Sequence, residues 1–180
     1  MILEVYHGTN YTNAENIIKT DFFYEYNNEH WLGNGVYFFL DLSLAQWWTT
    51  KPSKKFGTKI RKPAIIKVTL DIPEENILDL RKLSDYSEFI SLYFNEYMPL
   101  LRSGVFDIIT TNRNQVRCSF CDYLKREYEL KVIVGNFSLL SQPYLPDKYK
   151  EFSKAMSLYY IETQLCLYDS RCIIKKDIIV

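Results

Sequence analysis

Two short segments near the N-terminus carry the side chains best suited to bind and orient a small polar ligand. In Tyr6-His-Gly-Thr9 an apolar run ends in an imidazole and then in a glycine, which leaves the backbone amide and carbonyl free of side-chain crowding. In Trp31–Phe39, two glycines flank Asn34 and precede β-branched and aromatic residues that include Tyr37, a pattern typical of a loop leading into a strand. Side by side, the two segments would form a cleft containing an imidazole, a phenol and an open backbone edge.

The first of these segments is expected to end a strand that leads into a helix. Residues Ile2 to His7 are nearly continuous in apolar character, which predicts a buried strand. The sequence Thr12-Asn-Ala-Glu15 has the capping-box pattern, in which a hydroxyl and a carboxylate each bind an otherwise unpaired backbone amide. A helix is therefore predicted from Asn13 to Lys19, followed by a loop from Asp21 to His30.

The second segment is expected to lead through a strand into another helix. Val36 to Leu40 predicts the strand, and Asp41 is a suitable N-cap for a helix from Leu42 to Thr49. This helix carries Ser43, Ala45, Trp47 and Trp48.

The remainder of the chain predicts further strands and helices in irregular alternation, which indicates an α+β fold. The predicted strands are Pro63–Asp71, Asn76–Leu80, Val105–Thr110, Glu129–Val134 and Tyr159–Leu167. The predicted helices are one capped by Ser84 that extends to Leu101, and one from Pro146 to Leu158. Two segments are predicted to be irregular: a polar loop over Thr111–Phe120, and a short tail from Leu167 through Ile174.

Length and charge indicate one domain over residues 1–180 without a global electrostatic preference. The chain has 180 residues, of which 47% are apolar and 16% aromatic, enough for one well-packed core. Because 22 basic residues balance 22 acidic ones, any attraction to nucleic acid or anionic lipid has to be local. No signal-peptide pattern or membrane-spanning apolar run is found, so a cytoplasmic protein without membrane contact is expected.

The four cysteines are interpreted as ordinary reduced thiols. Cys118-Ser-Phe-Cys121 has the spacing of half a zinc site or of a redox pair, and Cys166 with Cys172 would complete a four-thiolate set. The second pair has five intervening residues and lies on a predicted strand, which is unfavourable for a structural zinc site. No metal is therefore expected.

Together, the glycine-flanked segments resemble a known enzyme family. His7-Gly-Thr9, Gly33-Asn-Gly-Val-Tyr-Phe38 and Ser43-Leu-Ala45 look like the signature of ADP-ribosyltransferases of the diphtheria-toxin and poly(ADP-ribose) polymerase type, which bind NAD with a His-Tyr-Glu triad. The resemblance is strong over residues 5 to 48, and Glu162–Asp169 looks like the third motif of the family. It implies a split, mainly antiparallel β-sheet core with flanking helices.

Carried over by position, the resemblance implies a role for each matched residue in binding NAD+ as a co-substrate. The backbone of Gly8 would hold the nicotinamide carboxamide, while His7 and Thr9 would contact the adenosine-side and nicotinamide riboses. Tyr37 would stack on the nicotinamide ring together with a tryptophan of the following helix. The remaining residues expected to contribute to NAD binding are Gly35, Ser43, Trp47 and Trp48.

The third motif departs from the family pattern at the position of the catalytic acid. Gln164 stands where the family usually has a glutamate, and Glu162 lies two residues earlier. Because side chains two residues apart in a strand point to the same side, both are expected to face the cleft. Either Glu162 stabilises the developing positive charge while Gln164 orients the substrate, or Gln164 replaces the acid. Joint involvement with Glu162 as the charged member is favoured, and family members without the acid transfer single ADP-ribose units.

The acceptor is expected to be a macromolecule, either a protein or a nucleic acid. Lys51–Lys62 contains six basic residues and no acidic one, so Lys54 and Lys55 are predicted to contact an anionic acceptor. Arg113 and Arg117 are expected to extend this basic surface.

The resemblance also suggests a biological setting and leaves two alternatives open. A small transferase of this kind looks like an intracellular toxin of a toxin–antitoxin or phage-defence system, which would need a neutralising antitoxin partner. One alternative is a non-catalytic module that binds NAD or ADP-ribose, supported by the missing glutamate at position 164. The other is an enzyme that resembles the NAD-using RNA 2′-phosphotransferases, although the chain lacks a second histidine in a comparable motif.

Overall fold

The strands of the described residues form one mixed sheet of seven members. The computed structural model describes residues 1–50, 60, 62–138, 147–157 and 160–179. In chain order the strands are β1 (Ile2–Asn10), β2 (Val36–Phe39), β3 (Pro63–Asp71), β4 (Ile77–Asp79), β5 (Val132–Ser138), β6 (Ile161–Leu167) and β7 (Ile173–Ile178). Their order across the sheet is β4-β5-β6-β2-β1-β3-β7, and of these neighbours β4 and β5 pair in parallel while the others pair antiparallel.

The helices of the described residues flank this sheet. They are α1 (Tyr11–Lys19), α2 (Leu42–Thr50), α3 (Leu83–Leu92), α4 (Met98–Arg102), α5 (Arg113–Glu127) and α6 (Asp147–Met156). A π-helical turn, Tyr93–Tyr97, joins α3 to α4. None of these helices is long and apolar enough to cross a membrane.

The centre of the sheet is split. Strand β1 pairs with β3 along its whole length, from Ile2 to Asn10, but it pairs with β2 at one position only, where Tyr6 faces Phe39. On its other side β2 pairs with β6 over its full length. Beyond Tyr6, therefore, β1 and β2 diverge and leave a cleft between two halves of the sheet.

One face of the sheet packs against α1. Alternating residues of the central strands, such as Val5, Phe38 and Ile66, form a buried core with Ala14 of this helix. The predicted capping box is wrong, because Asn10 is the N-cap and its side chain accepts a hydrogen bond from the amide of Asn13 at 2.8 Å. Strand β1 continues three residues past His7 straight into the helix, so the cap precedes Thr12.

The opposite face packs against α3, α4 and α5 around a second core, while α2 packs on Phe39 and Ile65 in a smaller third cluster. Tyr97 is fully buried there, with Phe120 and Leu124 of α5 and Ile133 of β5. The predicted helix from Ser84 to Leu101 is confirmed in extent, although it begins at Leu83 and Ser84 is not its cap. Its π turn ends two residues before Pro99, whose missing N–H and ring favour such a widened turn.

Three sequence-based predictions for the second half of the chain are wrong. Val105–Thr110 forms no strand; Val105 and Ile109 are exposed and have no sheet to join. Most of the predicted loop Thr111–Phe120 is the start of helix α5, whose Asn112 cap accepts hydrogen bonds from two backbone amides. The predicted tail ends at Ile174, whereas Ile173–Ile178 forms β7, which adds an edge strand to β3.

The cysteines do not meet in one place. Cys121 of α5 and Cys166 of β6 are buried in the second core, whereas Cys172 belongs to the core on the other face of the sheet. A four-thiolate metal site is therefore excluded by the fold. All four are free thiols, and no cluster of metal-binding side chains is found among the described residues.

Candidate functional site

The cleft between the diverging strands β1 and β2 contains a pocket of about 330 Å³. Its walls come from β1, from the segment before the glycine turn, from β2, from α2 and from β6. The lining residues are His7, Gly8, Glu29, His30, Trp31, Tyr37, Phe38, Phe39, Trp48 and Gln164. We call this cavity the cleft pocket.

His7 bridges the two strands at the point where they separate. Its Nδ1 lies 2.9 Å from the carbonyl oxygen of Tyr37, which accepts a hydrogen bond, so Nδ1 carries the proton. Burial lowers the pKa of His7, and the imidazole is consequently neutral near pH 7. The rings of Phe22 and Phe38 contact it edge-on at centroid distances of 5.2 and 5.9 Å. The neutral ring therefore offers its Nε2 as a hydrogen-bond acceptor.

Tyr37 is anchored through its hydroxyl and contributes its ring to the cleft pocket. The hydroxyl donates to the carbonyl of Gly33 at 2.9 Å and accepts from the amide of Leu32 at 2.6 Å. Burial raises the pKa of this phenol, which stays protonated. The tyrosine hydroxyl is thus used to hold the turn, and the aromatic surface is what remains for a ligand.

The glycine turn is held in place by α5. Gly33 has φ +78°, and a Cβ there would lie 2.8 Å from Oδ1 of Asp122. The carboxylate of Asp122 accepts hydrogen bonds from the backbone amide and the side-chain amide of Asn34, at 2.7 and 2.6 Å. The Nζ of Lys125 donates to the carbonyl of Asn34 at 3.2 Å. A helix that the sequence did not predict therefore positions the start of β2.

Helix α2 approaches β1 closely because Gly8 lacks a side chain. A Cβ at Gly8 would lie 2.7 Å from the carbonyl oxygen of Ala45 and 2.8 Å from Cγ2 of Thr49. The close packing brings Trp48 to the pocket wall, 3.5 Å from the same position. As predicted, Asp41 caps this helix, because its carboxylate accepts a hydrogen bond from the amide of Ser43 at 2.7 Å.

The wall formed by β6 contains an amide in front of a buried carboxylate. Gln164 lies beside Phe39 of β2 and lines the cleft pocket, and its Nε2 donates a hydrogen bond to Oε1 of Glu162. Glu162 is only 1% exposed, and its Oε2 has no hydrogen-bond partner among the described residues. Burial raises the pKa of Glu162, partly offset by the hydrogen bond from Gln164. The prediction that the two side chains share one side of the strand is confirmed.

The structure brings five of the predicted residues together at the pocket wall: His7, Gly8, Tyr37, Trp48 and Gln164. Glu162 lies behind Gln164 rather than at the wall itself.

Four residues predicted to bind the ligand lie outside the lining of the pocket: Thr9, Gly35, Ser43 and Trp47. Gly35 instead lets β2 approach β6, because a Cβ there would lie 2.5 Å from the carbonyl oxygen of Leu167. Ser43 is exposed in the first turn of α2.

The predicted acceptor residues divide into two groups. Lys54 and Lys55 lie outside the described residues. Arg113 and Arg117 stand on α5 rather than on a loop, and they line a different cavity.

The sequence analysis did not identify Glu29, His30 and Trp31 as pocket residues, because their segment has no periodicity. Glu29 accepts a hydrogen bond from the side-chain amide of Asn112 at 2.8 Å, which ties the segment to the cap of α5. The ring of His30 packs edge-on against Tyr37 at 5.7 Å, and its Nδ1 is buried without a partner among the described residues. Their position in the sequence could have identified them, because they lie just before the glycine turn that leads into β2.

Comparison with known proteins finds a relative of unknown function. Over 92 residues the chain is 30% identical to "Uncharacterized protein MJ0359" of Methanocaldococcus jannaschii. The match covers 51% of this chain and 43% of the relative, so the chain corresponds to less than half of that protein's length. No family model and no solved structure matches the chain.

Proposed function

We propose that the chain is a mono-ADP-ribosyltransferase with a split sheet of the diphtheria-toxin and poly(ADP-ribose) polymerase type. It transfers ADP-ribose from NAD+ to a macromolecular acceptor. The observation that carries the proposal is the divergence of β1 and β2, which places His7, Gly8, Tyr37 and Gln164 around one pocket. The three segments that contain His7, Tyr37 and Gln164 resemble motifs of the family, and all three line this single cleft.

The cleft pocket fits a nicotinamide riboside in size and chemistry. Its volume of about 330 Å³ lies at the lower end of the range of roughly 300–1,000 Å³ found for small-molecule sites. Trp31, Tyr37 and Trp48 offer aromatic surfaces to an electron-poor ring. The polar groups that line the pocket include the backbone of Gly8 and the side chain of Gln164.

Two residues of β1 bind the co-substrate. The backbone of Gly8 pairs with the carboxamide of nicotinamide, which has both a donor and an acceptor. The tautomer of His7, with its proton on Nδ1, requires the group at Nε2 to be a donor, as a ribose hydroxyl is. The lowered pKa of His7 also keeps a positive charge away from the cationic pyridinium.

Glu162 and Gln164 act together on the reacting centre. Bound NAD+ supplies an ADP-ribosyl group whose anomeric carbon becomes positively charged as neutral nicotinamide leaves with the bonding electrons. Gln164 turns its Nε2 towards Glu162, so its amide oxygen is the group available to the cleft. In its ionised form the carboxylate of Glu162 polarises this amide and stabilises the positive charge from behind it. The acceptor then gives up its proton as the new bond to the anomeric carbon forms.

Incubation with NAD+ labelled in its adenosine part tests the proposal. Label is expected on a macromolecule of a cell extract, and digestion with protease or ribonuclease identifies its class. Trp48→Ala is expected to weaken NAD+ binding about tenfold, whereas Tyr149→Ala, an exposed aromatic residue on α6, should leave it unchanged. Absence of both NAD+ binding and label transfer would contradict the proposal.

The buried position of Glu162 favours one second candidate, a non-catalytic module that binds NAD or ADP-ribose. In that case calorimetry would detect NAD+ binding that Trp48→Ala weakens, while no nicotinamide is released and no label is transferred. An activity resembling the RNA 2′-phosphotransferases would instead require an RNA carrying a 2′-phosphate, which can be added as a separate reaction.

A further inference from the structure

A larger cavity, of about 690 Å³, lies between the helical segment 83–102 and α5. Three arginines line it, Arg102 from α4 and Arg113 and Arg117 from α5, and none of its described lining residues is acidic. We call this cavity the arginine pocket. Its volume falls within the range of small-molecule sites.

The positive charge of the arginine pocket is not balanced by an acidic residue in the described part of the chain. Arg102 and Arg113 are exposed, and neither guanidinium forms an ion pair with a described residue. By contrast Arg126, on the same helix, contacts Glu127 at 2.9 Å. Cations that converge on one cavity without a carboxylate attract an anion, and guanidinium groups match the geometry of phosphate.

Arg117 adds a third guanidinium group, which is only partly paired. Its Nη2 donates to Oδ1 of Asn114 at 3.1 Å, but its Nε is buried and has no partner among the described residues. A buried donor on a charged group is costly when unpaired, so the guanidinium of Arg117 has unmet hydrogen-bonding capacity beside the cavity. The guanidinium carbon lies 6.0 Å from the ring centroid of Trp31, on the wall of the cleft pocket.

Aromatic rings form the apolar part of the arginine pocket. Phe89, Tyr93 and Phe120 line it, and the rings of Phe89 and Tyr93 pack on Phe120 at centroid distances of 4.7 and 5.2 Å. Flat aromatic surfaces beside arginines bind ligands that combine a planar ring with a phosphate. An acidic peptide would use the charges but not this surface.

We propose that the arginine pocket binds a nucleotide unit, with its phosphate at the three arginines and its base against the aromatic rings. This ligand chemistry occurs both in free nucleotides and in single-stranded nucleic acid. The proposal does not depend on NAD+ binding in the cleft pocket, because it rests on different residues. The two cavities are neighbours, since a smaller cavity of about 190 Å³ contacts Trp31 as well as Phe89 and Arg117.

Fluorescence anisotropy with fluorescein-labelled single-stranded RNA and DNA of 12 nucleotides (about the length that such grooves bind) tests the proposal. Because Arg102 and Arg113 are exposed, the double substitution Arg102→Gln with Arg113→Gln should leave the fold intact. It is expected to weaken binding by about 10- to 100-fold. The slope of log K against log salt should also fall by about 0.7 for each phosphate that the variant no longer neutralises.

Matched variants and competitors identify the site and the source of the ligand. Arg126→Gln should bind like wild type, and Arg102→Lys with Arg113→Lys should recover part of the affinity. AMP should displace the labelled strand more strongly than inorganic phosphate does, because the base adds its stacking contact. If AMP binds with the same dependence on the two arginines while no strand binds, the pocket serves free nucleotides.

Two results would overturn the proposal. One is that the Arg102→Gln, Arg113→Gln variant binds AMP and both strands with the same affinity as wild type. The other is displacement by poly-glutamate but not by AMP, which would identify an acidic protein segment as the ligand. Trp48→Ala alters the cleft pocket alone and should leave strand binding unchanged. A failure of the NAD+ proposal can therefore be distinguished from a failure of the nucleotide proposal.

Discussion

The cleft pocket and the arginine pocket place their polar groups in opposite ways. In the cleft pocket the ionisable groups are buried or held by hydrogen bonds: His7 is neutral and bound to the Tyr37 carbonyl, and Glu162 is 1% exposed. In the arginine pocket, Arg102 and Arg113 are exposed cations on helix surfaces. The first site is part of the folded core, so substitutions there change stability and chemistry together. Substitutions at the exposed arginines change binding alone.

Helix α5 contributes to both sites through different side chains. Arg113 and Arg117 line the arginine pocket, whereas Asp122 and Lys125 hold Asn34 at the turn before β2. Because one helix carries both functions, substitutions along it can separate the sites.

The largest expected effect is on catalysis in the cleft pocket. Glu162→Gln should lower the rate of ADP-ribose transfer on the order of 10²- to 10³-fold, because the carboxylate stabilises charge that is present only in the transition state. NAD+ affinity, measured by calorimetry, should survive. Glu127→Gln, on the surface of α5, is the matched control and should keep the wild-type rate. Full activity of Glu162→Gln would show that Gln164 acts without the carboxylate.

The second-largest effect is expected from a substitution on α5 that affects the cleft pocket but not the arginine pocket. Asp122→Ala removes the acceptor for both amides of Asn34 and should lower the free energy of unfolding by about 3 kcal/mol. Urea denaturation measures this change, with Asp177→Ala on the edge strand β7 as a control. If the protein remains folded, strand binding at the arginine pocket should persist while NAD+ binding weakens. A stability equal to wild type would show that the turn is held by other contacts.

A smaller loss is expected at the phenol of the cleft pocket. Tyr37→Phe leaves the amide of Leu32 unpaired and the carbonyl of Gly33 with only the weak thiol donor of Cys166, and it should cost about 1–3 kcal/mol of unfolding free energy. The ring remains, so NAD+ affinity in the folded protein should change little. Tyr26→Phe, at an exposed position, should be neutral in the same urea titration. A large loss of NAD+ affinity in Tyr37→Phe would indicate that the hydroxyl contacts the ligand.

The smallest effect concerns pH and the buried carboxyl group. The pKa of Glu162 is raised in the folded protein. The contribution of this carboxyl group to stability is therefore fully present at low pH. It is lost as the pH rises from the pKa of the unfolded state through that of the folded state. Glu162→Gln should therefore match wild-type stability near pH 4 and exceed it near pH 8. Parallel urea titrations at both pH values measure the difference. A lower stability of the variant at the higher pH would contradict it.

The pH dependence of His7 runs the other way. Its folded-state pKa is lowered, so its contribution to stability is present above pH 6.5, the ordinary value, and is lost as pH falls below it. The two groups of the same pocket thus favour opposite ends of the pH range.

Much of the fold and part of the site could be predicted from local pattern. The strand positions of His7, Tyr37 and Gln164 follow from apolar runs and from glycines that mark close backbone approach, and all three residues reach the cleft pocket. Helix α5 was missed because arginine and asparagine dominate its first turn, and the buried residues that reveal its period begin at Gln115. The edge strand β7 was missed because charged residues interrupt its alternation.

The amino-acid sequence by itself determined the residue types at the ends of β1 and β2 and, through the two-residue period of strands, the shared orientation of Glu162 and Gln164. Only the tertiary structure decided that Gln164 lines the pocket with Glu162 behind it. It also decided that Asp122 holds Asn34, although 88 positions separate them. The reason is physical: burial and long-range hydrogen bonds depend on which surfaces meet, and periodicity within a segment carries no information about the segment it will contact.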